Sequence, residues 1–297
     1  MSIRRSAIAI AEPPFLWTGM ALLGFTLSLF IFWPPLLALQ SQTITLLSLG
    51  LLAGLHGASY GAYKDSPHES FLARRYLREI IIALIIAFTL AAIPATSHQS
   101  RFILFLVTFT LTRVATEFWK LFVRIEPQQD YRIPTQFHWI SSVVDAPWIR
   151  LLVGAGFLAS IYGLYCLFTL LPKDWPLLWR GLIVGAGFGT AEAIAGAYKD
   201  GTIEGFSTLK FFKSPVFCAL GGLLASWHTS TLIFLMLAAY GSNRMFLELF
   251  FKILQPGYAP GKFRSMTGSF TEWTTQRKYF LLPYGVTWLL WVGLLLQ

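Results

Sequence analysis

Of the 297 residues, 55% are hydrophobic and 16% aromatic, only 12% are charged, and the mean hydropathy is +0.60. A soluble domain carries roughly 25% charged residues, so this composition excludes a soluble enzyme or binding module and specifies a membrane protein. The net charge of +9 is accounted for by topology and by attraction to anionic lipid headgroups, and gives no argument for nucleic acid.

In chain order, residues 1–14 form a short cytoplasmic N-terminus that holds Arg4 and Arg5. Glu12, Pro13 and Pro14 interrupt its apolar run, and no small-residue cleavage site follows the next one. The first span is therefore expected to be retained. Apolar stretches then recur near 15–38, 43–63, 79–97, 102–123, 149–171, 177–198, 213–227, 229–251 and 279–296, about nine in all. The seventh is short, and only WHTST separates it from the eighth. A re-entrant or strongly tilted segment is an alternative there.

Of the 23 lysines and arginines, Arg101, Lys173 and Arg180 fall on loops of one side, and Arg113 and Arg244 lie within spans. All the others fall on the opposite side, which the positive-inside rule makes cytoplasmic. A multi-pass protein with its N-terminus inside and its C-terminus on the other side is expected.

One charged phrase recurs. GAYKDSPHESF at 61–71 returns as GAYKDGTIEGF at 196–206, an ungapped offset of 135 that pairs Lys64 with Lys199, Asp65 with Asp200 and Glu69 with Glu204. Farther along, FWKLFVRI at 118–125 is echoed by FLELFFKI at 246–253, an offset of 128, and each is followed by a loop containing proline. Similarity at a nearly fixed offset is the mark of duplication. The expected fold is all-α, a polytopic transmembrane helical bundle of two four-span repeats, 15–137 and 149–263. A linker at 138–148 joins them, and a cytoplasmic loop at 264–278 leads to a ninth span at 279–297. An even number of crossings per unit makes the repeats parallel, related by a pseudo-twofold axis along the membrane normal.

Around the phrase, Gly57, Gly61 and Ala62, and likewise Gly185, Gly187, Gly189, Gly196 and Ala197, are small enough to let helices approach closely. Ser66, Pro67 and Glu69 then read as N-cap, first helical residue and capping-box acid of a restarted helix, with Gly201 and Glu204 as counterparts. The basic and aromatic segments that follow, ESFLARRYLRE and EGFSTLKFFKS, suit the membrane interface and its phosphates. A sharper reading has Lys64, Asp65, Glu69, Lys199, Asp200 and Glu204 converge at the cytoplasmic mouth of an axial cleft, where they bind an ion or a phosphate-bearing headgroup.

Charges also lie inside the spans. Arg113 and Glu117 are four residues apart, as are Arg244 and Glu248, so each pair shares a helical face. Each pair either neutralises itself near the cytoplasmic end or lines a polar cavity between the repeats. Glu192, in GTAEAIAG, has no charge within a helical turn, and its repeat position is Gly57. His56, one residue earlier, is its expected partner across the pseudo-twofold axis. A lone acid among small residues marks a proton or cation site, or a packing hydrogen bond. His138 and His228, at span ends, read as interfacial anchors. Cys166 and Cys218 have neither CxxC spacing nor nearby histidines, so no disulfide, metal or cofactor site is expected.

There is no HExxH, no GxSxG, no Walker loop and no aspartate-rich diphosphate motif, which leaves catalytic residues unassigned. The expected function is that of a transporter-like or channel-like protein with an axial polar pathway between repeats. One alternative is a membrane enzyme acting on a phosphate-bearing lipid at the cytoplasmic face, with acids for Mg²⁺ and basic residues for phosphate. Another is a structural subunit of a larger membrane complex. The expected partners are anionic membrane lipids, a small ion or lipid as substrate, and other membrane subunits.

Overall fold

A computed structural model of the protein describes residues 41–126, 136–140, 142–255 and 270–297. The expected span near 15–38 lies outside them. Among the described residues there are nine α-helices: α1 (Gln42–Glu69), α2 (Ala73–Ala91), α3 (Arg101–Phe118), α4 (Pro147–Thr169), α5 (Leu177–Glu204), α6 (Thr208–Ser226), α7 (Leu232–Glu248), α8 (Thr271–Gln276) and α9 (Leu281–Leu295). A π-helical turn, Trp119–Val123, continues α3, and a second, Leu249–Ile253, continues α7. The strands β1 (His138–Trp139) and β2 (Ser142–Val143) form only a two-residue antiparallel ladder. About 82% of the described residues are helical.

Among the described residues, seven helical segments are long and apolar enough to cross a membrane: α1, α3 with its π turn, α4, α5, α6, α7 with its π turn, and the run Glu272–Leu295 that contains α9. This is the architecture of a polytopic membrane protein, in which helices satisfy their backbone groups internally. The expected third span, α2, is a 19-residue helix that falls outside the seven. Its first two turns carry Arg74, Arg75, Arg78 and Glu79. The expected seventh span is not a re-entrant fragment: α6 is continuous over 19 residues and begins ahead of the apolar stretch.

The helix ends correct the capping-box expectation. α1 runs through Ser66 and Pro67 to Glu69 and stops at Ser70, whose φ is 63° and whose N–H donates to the Ser66 carbonyl. α5 runs through Gly201 to Glu204 and stops at Gly205, with φ 75° and its N–H on the Gly201 carbonyl. A left-handed residue, which glycine adopts without strain, is what ends each helix. Pro67 does not restart a helix, because one missing N–H near a C-terminus frees only a single carbonyl. A side-chain cap appears one loop later, where Ser207 accepts from the Lys210 N–H at the start of α6.

α1 and α5 each have 28 residues, and α2 and α6 each have 19. Both pairs begin and end at the same offset of 135 that separates the two copies of the phrase. The π turns are offset by 130. At a rise of about 1.5 Å per residue, a helix of that greater length exceeds the ~30 Å hydrocarbon core, so its charged end reaches the interface.

The core is built around α3, whose Phe102 to Phe109 are buried, and which packs on α1, α2, α7 and α9. Leu46, Leu49 and Leu52 of α1, Leu235 and Met236 of α7, and Trp291 and Leu294 of α9 complete it. Phe71, Tyr76, Trp273 and Phe280 form a second cluster that ties the α1–α2 elbow to α8 and its following turn. Close backbone approach occurs at Gly54, where a Cβ would meet the Ile80 Cα at 2.7 Å, and at Gly185, where it would collide with the Cys218 carbonyl. Gly61 and Gly196 have nothing within 4 Å, so the glycines of the phrase itself are not contact residues. α4 lies at the periphery and exposes Leu151, Leu152, Leu158 and Tyr162.

Candidate functional site

The ends of α1 and α5 carry the repeated phrase, and their charges take different partners. Lys64 lies 3.3 Å from its neighbour Asp65, and Glu69 pairs with Arg75. Lys199 instead crosses to α3, where its ammonium lies 2.9 Å from Glu117. The side chains of Asp200 and Glu204 lie outside the described set. The matching tyrosines also diverge. Tyr63 faces the Arg277 guanidinium at 4.7 Å, whereas the Tyr198 hydroxyl donates to the His138 carbonyl at 2.9 Å and stacks with Phe137. The four described charged residues of the phrase, Lys64, Asp65, Glu69 and Lys199, thus make different ion pairs, yet all four line one cavity.

Glu117 is a junction. Besides Lys199, Lys120 approaches it at 3.4 Å and Arg113 at 3.6 Å. Arg113 is 5% exposed, and its guanidinium also lies 4.0 Å from Glu79 on α2. The expected i,i+4 pair is therefore present, but it belongs to a larger network. These groups face a cavity of about 310 Å³ lined by seven basic and five acidic side chains. With one exception, Lys199, the lining comes from residues 58–126.

Deeper in the bundle, Arg244 lies 3.7 Å from Glu248 on its own helix and 3.5 Å from Glu192 on α5. The Asn243 amide also donates to Glu192. Glu192 is therefore neither solitary nor paired with His56. Its neutralising arginine comes from another helix, which periodicity along α5 does not reveal. His56 has other partners: Nε2 faces Glu248 at 3.5 Å, and Nδ1 lies 2.8 Å from Thr287 on α9. Tyr284 stacks on the ring and Phe109 meets it edge-on. Glu248 also stands within the field of Arg113, so the two arginine–glutamate pairs act on each other.

Sequence reading missed Glu79, Lys120, Asn243 and Thr287. Glu79 is hidden in a run that reads as interfacial, and Asn243 had a usable signal, a second polar residue beside Arg244 in an apolar helix. His138 and His228 lie outside the spanning helices, and burial lowers the imidazole of each below its ordinary value. Among the described residues, no group of three or more His, Cys, Asp or Glu is placed to hold a metal ion. The acids of the network are engaged by arginine, lysine, histidine and amide groups instead.

Fold and charges together define a polytopic helical membrane protein with an ionic network inside its bundle. The chain matches no protein-family model, no curated protein and no solved structure. Its own geometry is what bears on function.

Proposed function

We propose that the protein is a membrane transporter built from two parallel four-span units, with boundaries near 15–137 and 149–263 and a ninth span appended. The segment near 15–38 completes the first unit, and the repeated phrase faces the cytoplasm. Supporting the duplication are the equal lengths of α1 and α5 and of α2 and α6, at one common offset, and the π turns that end α3 and α7.

One observation carries the transport reading: two glutamates of the network, Glu117 and Glu248, are each engaged by a base from the other unit. Lys199 of the second unit reaches Glu117 of the first, and His56 of the first reaches Glu248 of the second. Ion pairs between two bodies break and re-form as the bodies move, and the surrounding arginines keep each acid compensated meanwhile. The charged cavity is the cytoplasmic mouth of this pathway, and its excess of cations suits an anionic substrate or a lipid phosphate.

A second reading is favoured by the cavity's asymmetry. Its walls come from the first unit with the exception of Lys199, as suits a lipid-phosphate enzyme that keeps one working site.

Gly57 provides the test, because a Cβ there would meet Phe109, Arg113 and Glu79 only at ordinary contact distances of 3.7 to 4.0 Å. In a protein with Cys166 and Cys218 replaced by alanine, Gly57→Cys is treated with a membrane-impermeant thiol reagent from either side. Transport by alternating access predicts labelling from both sides. Labelling from the cytoplasmic side alone would favour the enzyme, and protection from both would leave a static subunit.

A further inference from the structure

His56 is fully enclosed, and its hydrogen bonds determine where a proton must lie. Nδ1 is 2.8 Å from the Thr287 hydroxyl, and that hydroxyl already donates to the Tyr284 carbonyl at 2.7 Å. A hydroxyl has a single hydrogen, so Thr287 accepts from His56, and Nδ1 is protonated. In a neutral ring Nε2 would then carry only a lone pair, and it points at Oε2 of Glu248, 3.5 Å away. A lone pair facing a carboxylate is repulsive.

Nε2 and both oxygens of Glu248 are buried, and none has a hydrogen-bond partner. Leaving such groups unsatisfied is unfavourable, because they have lost water and gained nothing in its place. One additional proton removes the conflict, either on the ring as imidazolium or on the acid as a carboxyl group.

We infer that His56 and Glu248 hold one exchangeable proton between them, an intramembrane proton-binding site at the junction of α1 and α7. Every element around the pair bears on it. Arg244, on α7, lies 3.7 Å from Oε1 of Glu248, and Arg113, on α3, also acts on that carboxylate. Both set a positive charge against the carboxylate side of the pair. Tyr60, on α1, and Tyr284 and Trp288, on α9, supply aromatic walls. Glu192, on α5, shares Arg244 with Glu248.

The role of the site rests on the transporter reading. His56 and Glu248 belong to different units, so separation of α1 from α7 leaves the proton with one partner or releases it. Two conformations with different proton counts are coupled to the proton gradient.

The existence of the site is tested without transport, by ¹⁵N NMR of histidine-labelled protein in lipid nanodiscs, with His56→Gln identifying the signal. The parent protein is expected to show either the imidazolium pattern or a neutral ring beside a protonated carboxyl group, and Glu248→Gln the neutral, Nδ1-protonated pattern. If the ring is neutral in the parent, infrared spectra must show a protonated carboxyl band that Glu248→Gln removes. A neutral ring without that band overturns the inference. Thr287→Val removes the acceptor of Nδ1 and serves if Glu248→Gln fails to fold: the Nδ1 signal should shift, and an unchanged spectrum there also overturns the inference.

Coupling is read in proteoliposomes containing a pH-sensitive dye. Glu248→Gln should abolish proton movement while Gly57→Cys in the same background stays accessible from both sides. An imidazolium signature with one-sided labelling would keep the proton site and remove the transporter. Two-sided labelling without that signature and without the carboxyl band would do the reverse.

Discussion

Lys199 on α5 sets its ammonium 2.9 Å from the carboxylate of Glu117 on α3, across 82 positions of sequence. The side chains are 25% and 30% exposed, so the contact is shielded without being sealed. Lys199→Gln and Glu117→Gln should each lower the melting temperature in detergent. The double variant should lose less than the two losses together, with a coupling of about 1 kcal/mol. Additive losses would mean that the contact contributes nothing. Glu117→Gln should be the more damaging single change, since it leaves Arg113 and Lys120 without their shared acid.

Glu192→Gln keeps the side-chain shape but withdraws the charge that compensates Arg244. Loss of a hydrogen bond to a half-buried charged group predicts destabilisation by about 1 kcal/mol. Glu192→Gln combined with Arg244→Gln should recover part of that loss, because no uncompensated guanidinium remains. A double variant less stable than the additive sum would contradict the pairing. Thermal melting of the four proteins side by side decides it.

Glycines near the phrase divide sharply. Gly185→Ala places a methyl group against the Cys218 carbonyl, so α5 and α6 must separate. Overpacking of this kind costs about 1–3 kcal/mol. Gly196→Ala meets nothing within 4 Å and improves helix propensity, by up to about 1 kcal/mol. Melting temperatures should therefore fall in the first variant and hold or rise in the second.

These contrasts mark what was legible in the sequence. Hydropathy located the helices well, and the repeated phrase falls at the ends of α1 and α5 because a charged ending on a long apolar helix has nowhere else to lie. The i,i+4 pairs Arg113–Glu117 and Arg244–Glu248 were legible because helical spacing alone brings such residues together. Partnerships between helices were not. Asn243 and Arg244 reach Glu192 from 51 and 52 positions away, and no period along α5 encodes a neighbouring helix. The capping motif misled for a local reason. Ser66-Pro67 is compatible with a helix start, yet it is also tolerated within the last turn of a helix that Ser70 terminates.

His138 adds a pH prediction outside the membrane-spanning helices. Burial lowers its imidazole below the ordinary value, and the nearby Lys199 charge acts in the same direction. A depressed folded value means that the folded state favours the neutral ring. This contribution to stability is complete above the unfolded value and is lost as pH falls through it toward the folded one. NMR titration should give a midpoint for His138 below that of a free histidine, and Lys199→Gln should move it upward. A midpoint at or above the free value would contradict the burial.

Arg74 on α2 and Leu209 on α6 stand 135 positions apart, and both are exposed just beyond the two copies of the phrase. Parallel four-span units require the two positions to lie on the same side of the membrane, and the positive-inside rule makes that side cytoplasmic. In the background without native cysteines, Arg74→Cys and Leu209→Cys should react with an impermeant thiol reagent only from the cytoplasmic side. Lys173→Cys, in the loop between α4 and α5, should react only from the other. All three positions are exposed, so burial inside the bundle does not account for a failure to label. Labelling of Arg74→Cys and Leu209→Cys from opposite sides would make the repeats inverted, and the axis relating Lys64 to Lys199 would then lie in the membrane plane.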